Sequence, residues 1–149
     1  MPESRYLKPG WFTTNVFNRA VRRLTLMGVS VMGSRELRVK GRTSGQWRNT
    51  PVNLLTLDSQ RYLVAPRGTT QWVRNLRAAG TGELRVGRRV VAFRAEELPD
   101  DGKQAVLREY LHRWAWEVGQ FFDGVDANSS DEKLREVAPG FPVFRVIAV

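Results

Sequence analysis

Between residues 35 and 96, turn-forming clusters recur so closely that most of the apolar runs between them are too short to be helices. Glu36 to Lys40 alternates polar and apolar residues and leads into the glycine-bounded turn Gly41-Arg42-Thr43-Ser44-Gly45-Gln46. Thr50 to Leu57 carries apolar residues on both faces, as a strand does where a sheet curls into a barrel, and Asp58-Ser59-Gln60 turns it into Arg61 to Ala65. Glu83 to Val86 and Val90 to Glu96 are joined by Gly87-Arg88-Arg89, and Phe141 to Val149 reads as a final strand. Connections this short force neighbouring strands to run antiparallel, so these six strands predict a small antiparallel barrel with helices packed on it. At 149 residues, with no linker or repeat, the chain reads as one domain.

Three helices are expected. Pro66-Arg67-Gly68-Thr69-Thr70 leads into a short helix, Gln71 to Ala79, with Thr69 or Thr70 as its cap and Gly80 as its stop. From Lys103 to about Phe122, Val106, Leu107, Tyr110, Leu111, Trp114, Val118, Phe121 and Phe122 repeat at helical spacing after the helix start marked by Asp100-Asp101. Asn15 to Met27 forms an amphipathic helix within an N-terminal extension of residues 1–34. That helix packs on the domain or, being basic, lies on an anionic membrane surface. Arg22-Arg23 before the run Leu24 to Gly33 superficially resembles a twin-arginine export signal, but the run lacks a clear cleavage site, so a cytoplasmic protein, with membrane association left open, is expected.

Chemistry is constrained by what is missing. The chain has no cysteine and one histidine, His112, which rules out a thiol nucleophile, an iron–sulfur cluster and a multi-histidine metal site. No metal is expected, and redox chemistry would have to come from an organic cofactor. The net charge is +9, and it is uneven: residues 1–34 carry +4, residues 35–94 carry +10 and residues 95–149 carry −5. A basic middle third built mostly from arginine suits phosphates and carboxylates. A nucleic-acid-binding barrel is disfavoured because the arginines are not interleaved with exposed aromatics in any recognised motif.

Two loops read as anion cradles. In Gly41 to Pro51 the glycines let successive N–H groups aim into one concavity, Thr43 and Ser44 add hydroxyls, and Arg42 and Arg48 add charge. An ordinary polar hairpin turn has the same composition. Pro66-Arg67-Gly68-Thr69 ends a strand and opens a helix, whose N-terminus also favours anions.

These residues resemble the deazaflavin (F420)-dependent nitroreductase family, part of the split β-barrel flavin and deazaflavin oxidoreductases. Gly41-Arg42-Thr43-Ser44-Gly45-Gln46-Trp47-Arg48-Asn49-Thr50-Pro51 is similar to its G-R-x-S/T-G-x-x-R-x-x-P hairpin. Val64-Ala65-Pro66-Arg67-Gly68, then Trp72-Val73-Arg74-Asn75-Leu76-Arg77-Ala78, is similar to its V-A-S-x-G and W-x-x-N-L-x-A. The resemblance implies a mainly β (α+β) split β-barrel of about six antiparallel strands with an N-terminal helix, a short cofactor-side helix and a longer helix in the last third. It also implies coenzyme F420, with FMN as the alternative. Arg42, Thr43, Ser44, Gly45, Arg48 and Arg67 would hold the cofactor's phosphate and carboxylate tail. Thr50, Pro51, Ala65, Pro66 and Gly68 would lie along its ring, with Trp72 and Asn75 beside it. Asn53 and Leu55 would shape the substrate space over the ring. Tyr110 and Trp114 are candidates for the substrate entrance, while aromatics at helical spacing more often pack in a core.

The implied reaction is hydride transfer from reduced F420 to an electron-poor small molecule such as an enone, quinone or nitro compound, and no acid–base side chain is strictly demanded. The alternative is a protein of this fold that holds F420, a flavin, haem or a lipid without turnover. A homodimer is also an expectation. Three departures from the family pattern are visible: the glycine-rich loop before Trp72 is shorter, Asn53 stands where some members place an aromatic residue, and Thr43 replaces a common cation.

Overall fold

The computed structural model describes residues 34–118, 122 and 124–149. Six strands run β1 (Ser34–Lys40), β2 (Trp47–Leu57), β3 (Gln60–Val64), β4 (Thr81–Val86), β5 (Arg89–Glu97) and β6 (Val143–Ala148). They close into one barrel in the order β1-β2-β3-β6-β5-β4, and every pairing is antiparallel. The expected split β-barrel is therefore present, in the form of a closed six-stranded antiparallel barrel. The N-terminal helix expected at Asn15 to Met27 lies outside the described residues.

The turns follow from the residues that make them. Asp58 (φ 51°) and Ser59 (φ 65°) occupy the two positions between Leu57 and Gln60, so the β2–β3 hairpin takes the two-residue left-handed turn that matches strand twist. Gly87, at φ 60°, opens the equally tight β4–β5 turn.

Apolar residues on both faces of β2 serve two cores. Leu54 joins Leu37, Val39, Leu63, Leu84, Phe93 and Phe144 inside the barrel. Leu55, one residue on, points the other way into a second cluster with Tyr110, Leu111, Trp114, Phe122 and Phe141. Each fully buried side chain of this size contributes about 1.5–3 kcal/mol relative to an exposed one.

The outer cluster is supplied by α2 (Gln104–Val118), numbered after the short helix α1 (Gln71–Ala79), and by α3 (Asp131–Val137). Helix α2 follows a single 3-10 turn at Asp100–Gly102 and departs from helical geometry at Trp114 (φ −126°, ψ 18°). Its entry is fastened by Lys103, 2% exposed, whose ammonium donates to the Ala138 carbonyl at 3.0 Å and pairs with Asp100 at 2.8 Å. The polar stretch before β6 contains α3, capped by Ser130, whose hydroxyl accepts from the Lys133 N–H at 3.1 Å. Phe122 and Phe141 stack with centroids 4.0 Å apart, closing the cluster beneath these helices.

Helix α1 closes one mouth of the barrel. It begins after the end of β3 and ends before β4, and Val73 and Leu76 enter the inner core. Gly80 terminates it at φ 73°, its N–H bonded to the Leu76 carbonyl at 2.8 Å.

Candidate functional site

The hairpin turn between β1 and β2 and the segment from Ala65 to Asn75 lie at the α1 end of the barrel. The turn is internally tied. The Gly41 N–H donates to the Gln46 carbonyl at 2.8 Å and the Gly45 N–H to the Gly41 carbonyl at 2.9 Å. Gly45 sits at φ 72°, where L residues are strained. The Ser44 hydroxyl accepts from the Gln46 N–H at 3.2 Å, so it helps hold the turn. Arg42, Thr43, Gly45 and Arg48 are exposed around it.

Arg42 is oriented by a residue far away in sequence. Asn75 Oδ1 accepts both the Arg42 backbone N–H at 3.1 Å and its guanidinium at 2.8 Å. Asn75 is 6% exposed, and its oxygen clips the hairpin turn to α1. This couples the two motifs singled out in the sequence. Helix α1 is held to the barrel at its other end by Arg77, which grips the Glu97 carboxylate with two bonds of 2.8 and 2.6 Å. That hydrogen bonding raises the Arg77 guanidinium above its ordinary value against the opposing effect of burial.

The second loop is compact. The Ala65 N–H donates to the Pro142 carbonyl at 2.9 Å, the Gly68 N–H to the Ala65 carbonyl at 3.2 Å and the Thr70 N–H to the Gly68 carbonyl at 2.9 Å. Gly68 is buried at φ 87°, a backbone that L side chains rarely adopt. Pro66 and Arg67 are half-buried. Trp72 is half-buried against the inner core, its ring 6.0 Å from that of Phe144. Thr50 and Pro51 are half-buried on β2, opposite Leu37 and Glu36.

Thr70 stands at the N-cap of α1, but its side chain makes no capping bond. Its hydroxyl is buried with no partner, and the residue is 8% exposed. The first turn of α1 also contains no acidic residue, so its leading N–H groups have no side-chain acceptor from that turn. A buried hydroxyl without a partner beside an uncapped helix start is a place for an acceptor group. The sequence offers Thr69 or Thr70 as this cap; Thr70 takes the position without the bond.

The residues expected at the substrate divide. Asn53 is half-buried on β2. Leu55, Tyr110 and Trp114 are 0%, 2% and 1% exposed in the outer core beneath α2, and Tyr110 and Trp114 pack ring to ring at 5.1 Å. Side chains enclosed this way fasten α2 to the sheet rather than line an opening. His112 is exposed, and Asp100-Asp101 open the 3-10 turn. Among the described residues no group of His, Asp and Glu is placed to hold a metal.

Residues 14–124 match the model of the F420H(2)-dependent quinone reductase family, a span that includes both loops and α1. The chain belongs to this family. No curated protein matches it. Similar solved structures include an F420-H2 dependent reductase, FDR-A, at 18% identity and a TM-score of 0.52, covering 76% of this chain and 93% of that one. A protein described as a domain-swapped dimer shares 17% identity over 89% and 98% of the two chains, with a TM-score of 0.56. HutZ, the heme storage protein from Vibrio cholerae, shares 10% identity over 88% and 89%, with a TM-score of 0.52. At these identities the likenesses establish the fold, and the family match establishes an F420-dependent reductase. The family's cofactor fits the donor set here: guanidinium groups for an anionic tail and an unpartnered hydroxyl at Thr70.

Proposed function

We propose that the chain uses reduced F420 to reduce an electron-poor small molecule of the quinone, enone or nitro type. When bound, the deazaflavin supplies a hydride equivalent, which removes any need for a redox-active side chain. Arg42, Arg48 and Arg67 hold the phosphate and carboxylates of its tail, with Thr43, Ser44 and Gly45 shaping the turn that presents two of them. Ala65, Pro66 and Gly68 let the ring approach the backbone, Thr50, Pro51 and Trp72 flank it, and Thr70 offers its hydroxyl to a ring acceptor. Asn53 borders the acceptor substrate. The observation that carries this reading is the double hydrogen bond from Arg42 to Asn75, which fixes the cationic turn against the helix carrying Trp72.

The test is a fluorescence titration of the purified protein with F420, with FMN in parallel, followed by anaerobic turnover of F420H2 with a quinone. Saturable F420 binding with turnover supports the reading. Binding without turnover supports the second reading, a non-catalytic carrier of F420, flavin, haem or lipid, which the likeness to a haem storage protein and the shortened loop favour. Absence of F420 binding sinks both forms that invoke it. A homodimer, in keeping with the domain-swapped neighbour, is part of the proposal and is read by sedimentation. Peripheral membrane association through the N-terminal segment is read by vesicle flotation; among the described residues no helix is long and apolar enough to cross a membrane.

A further inference from the structure

The barrel has a second mouth, at the far end of β1 from the hairpin turn. Alternation along the strands decides what faces into it. Arg35 shares the face of Leu37 and Val39, Arg61 that of Leu63, and Arg89 that of Phe93, all inner-core residues. The pairings bring them to one rim. Val86 lies opposite Arg89, and Arg35 is one inward step beyond the Leu37–Leu84 pair, which places it beside Val86. Thr56 lies opposite Arg61. Arg35 is five residues from Lys40 on β1, about 17 Å of strand at ~3.3 Å per residue, so this rim is separate from the hairpin site.

Three arginines therefore stand on the inner face of three strands at one rim, Arg35 with its guanidinium donating to the Ser34 carbonyl at 2.9 Å. Burial first, then the charges of Arg89 and Arg61, hold the Arg35 guanidinium below the ordinary arginine value. Among the described residues, neither Arg61 nor Arg89 forms an ion pair. Like charges gathered in this way repel, and an anion placed between them converts the repulsion into attraction. The fork geometry of arginine matches phosphoryl oxygens. On the face of Arg89, Val91 is 49% exposed, offering apolar surface next to the charge.

We propose that the rim formed by Arg35, Arg61 and Arg89 is a second anion site, which takes a phosphoryl group. The group belongs either to a free phosphorylated molecule or to a lipid headgroup whose acyl chains meet Val91. This proposal is independent of F420 binding at the opposite mouth.

The experiment measures binding of inorganic pyrophosphate by calorimetry, and of phosphatidylglycerol vesicles against phosphatidylcholine vesicles by flotation. It compares the native chain, the double variant Arg61→Gln/Arg89→Gln and the control Arg88→Gln in the adjacent exposed turn. The expected result is saturable binding that falls at least tenfold in the double variant and stays within twofold in the control, with F420 affinity unchanged. Pyrophosphate binding identifies a free phosphate ligand; arginine-dependent binding only to anionic vesicles identifies a headgroup. Without added anion the double variant is expected to melt higher than the native chain, because the repulsion is relieved, which also shows that it folds. Binding that survives in the double variant, falls equally in Arg88→Gln, or is absent from both probes overturns the proposal.

Discussion

The side-chain oxygen of Asn75 accepts two hydrogen bonds from Arg42, one from its backbone at 3.1 Å and one from its guanidinium at 2.8 Å. A single buried amide thereby sets where a charged loop stands relative to a helix packed in the barrel mouth. Replacing Asn75 by Ala removes both bonds, and the charge-assisted one alone is worth about 1.5–3 kcal/mol. F420 affinity in a fluorescence titration is expected to fall about tenfold, and Asn75→Asp, which keeps the acceptor, is expected to recover most of it. An affinity unmoved by Asn75→Ala would separate the turn from the cofactor.

Arg42, Arg48 and Arg67 surround the proposed tail site. Changing each to Ala is expected to weaken F420 binding by about 1–3 kcal/mol while leaving the far-ultraviolet circular dichroism unchanged. If all three variants bind as the native chain does, the tail lies elsewhere.

Thr70→Val has an expected effect of opposite sign on stability and on binding. The substitution removes a buried hydroxyl that has no partner while keeping its shape. Urea denaturation without cofactor is expected to show a gain of about 1 kcal/mol, since an unpaired buried hydroxyl costs about 1–3 kcal/mol in proteins. Titration is expected to show weaker F420 binding. A loss of stability without cofactor would mean that the hydroxyl is satisfied in solution.

Trp114 tests the outer core. Trp114→Ala is expected to lower stability by about 3–5 kcal/mol in the same denaturation assay, the range for deleting a large buried aromatic. In the fraction that remains folded, F420 affinity is expected to match that of the native chain, because the residue packs between α2 and the sheet. A selective loss of turnover with intact stability would return Trp114 to the substrate side.

Much of the barrel was legible because its signals are local. The β2–β3 and β4–β5 turns carry their own backbone requirements in Asp58-Ser59 and Gly87, and the bounds of α1 follow from the Thr70 and Gly80 flanks. Leu54 and Leu55 showed a strand buried on both faces, but alternation alone does not say that the outer face meets a helix from residues 104–118. Tyr110 and Trp114 pack there as their helical spacing favours, and Leu55, read on its strand as a neighbour of the substrate space, packs with them. The Asn75–Arg42 clip was illegible for a different reason. It joins residues 33 positions apart, and nothing in either motif names the other as its partner. Thr70 holds the cap position the sequence offers it, and only the three-dimensional surroundings reveal that its hydroxyl bonds to nothing.

The position of β6 between β3 and β5 has a consequence for how the molecule is made. While the chain is being synthesised, β3 and β5 each keep one row of main-chain groups without a strand beside it until residues 143–148 leave the ribosome. Hairpins β1–β2–β3 and β4–β5 can form early, but circumferential closure waits for the last strand to be inserted, making it a late event with a long sequence separation. Stalled or prematurely terminated nascent chains would therefore present two adhesive strands to chaperones or to one another, and breakage before residue 143 would be more damaging than its short length suggests.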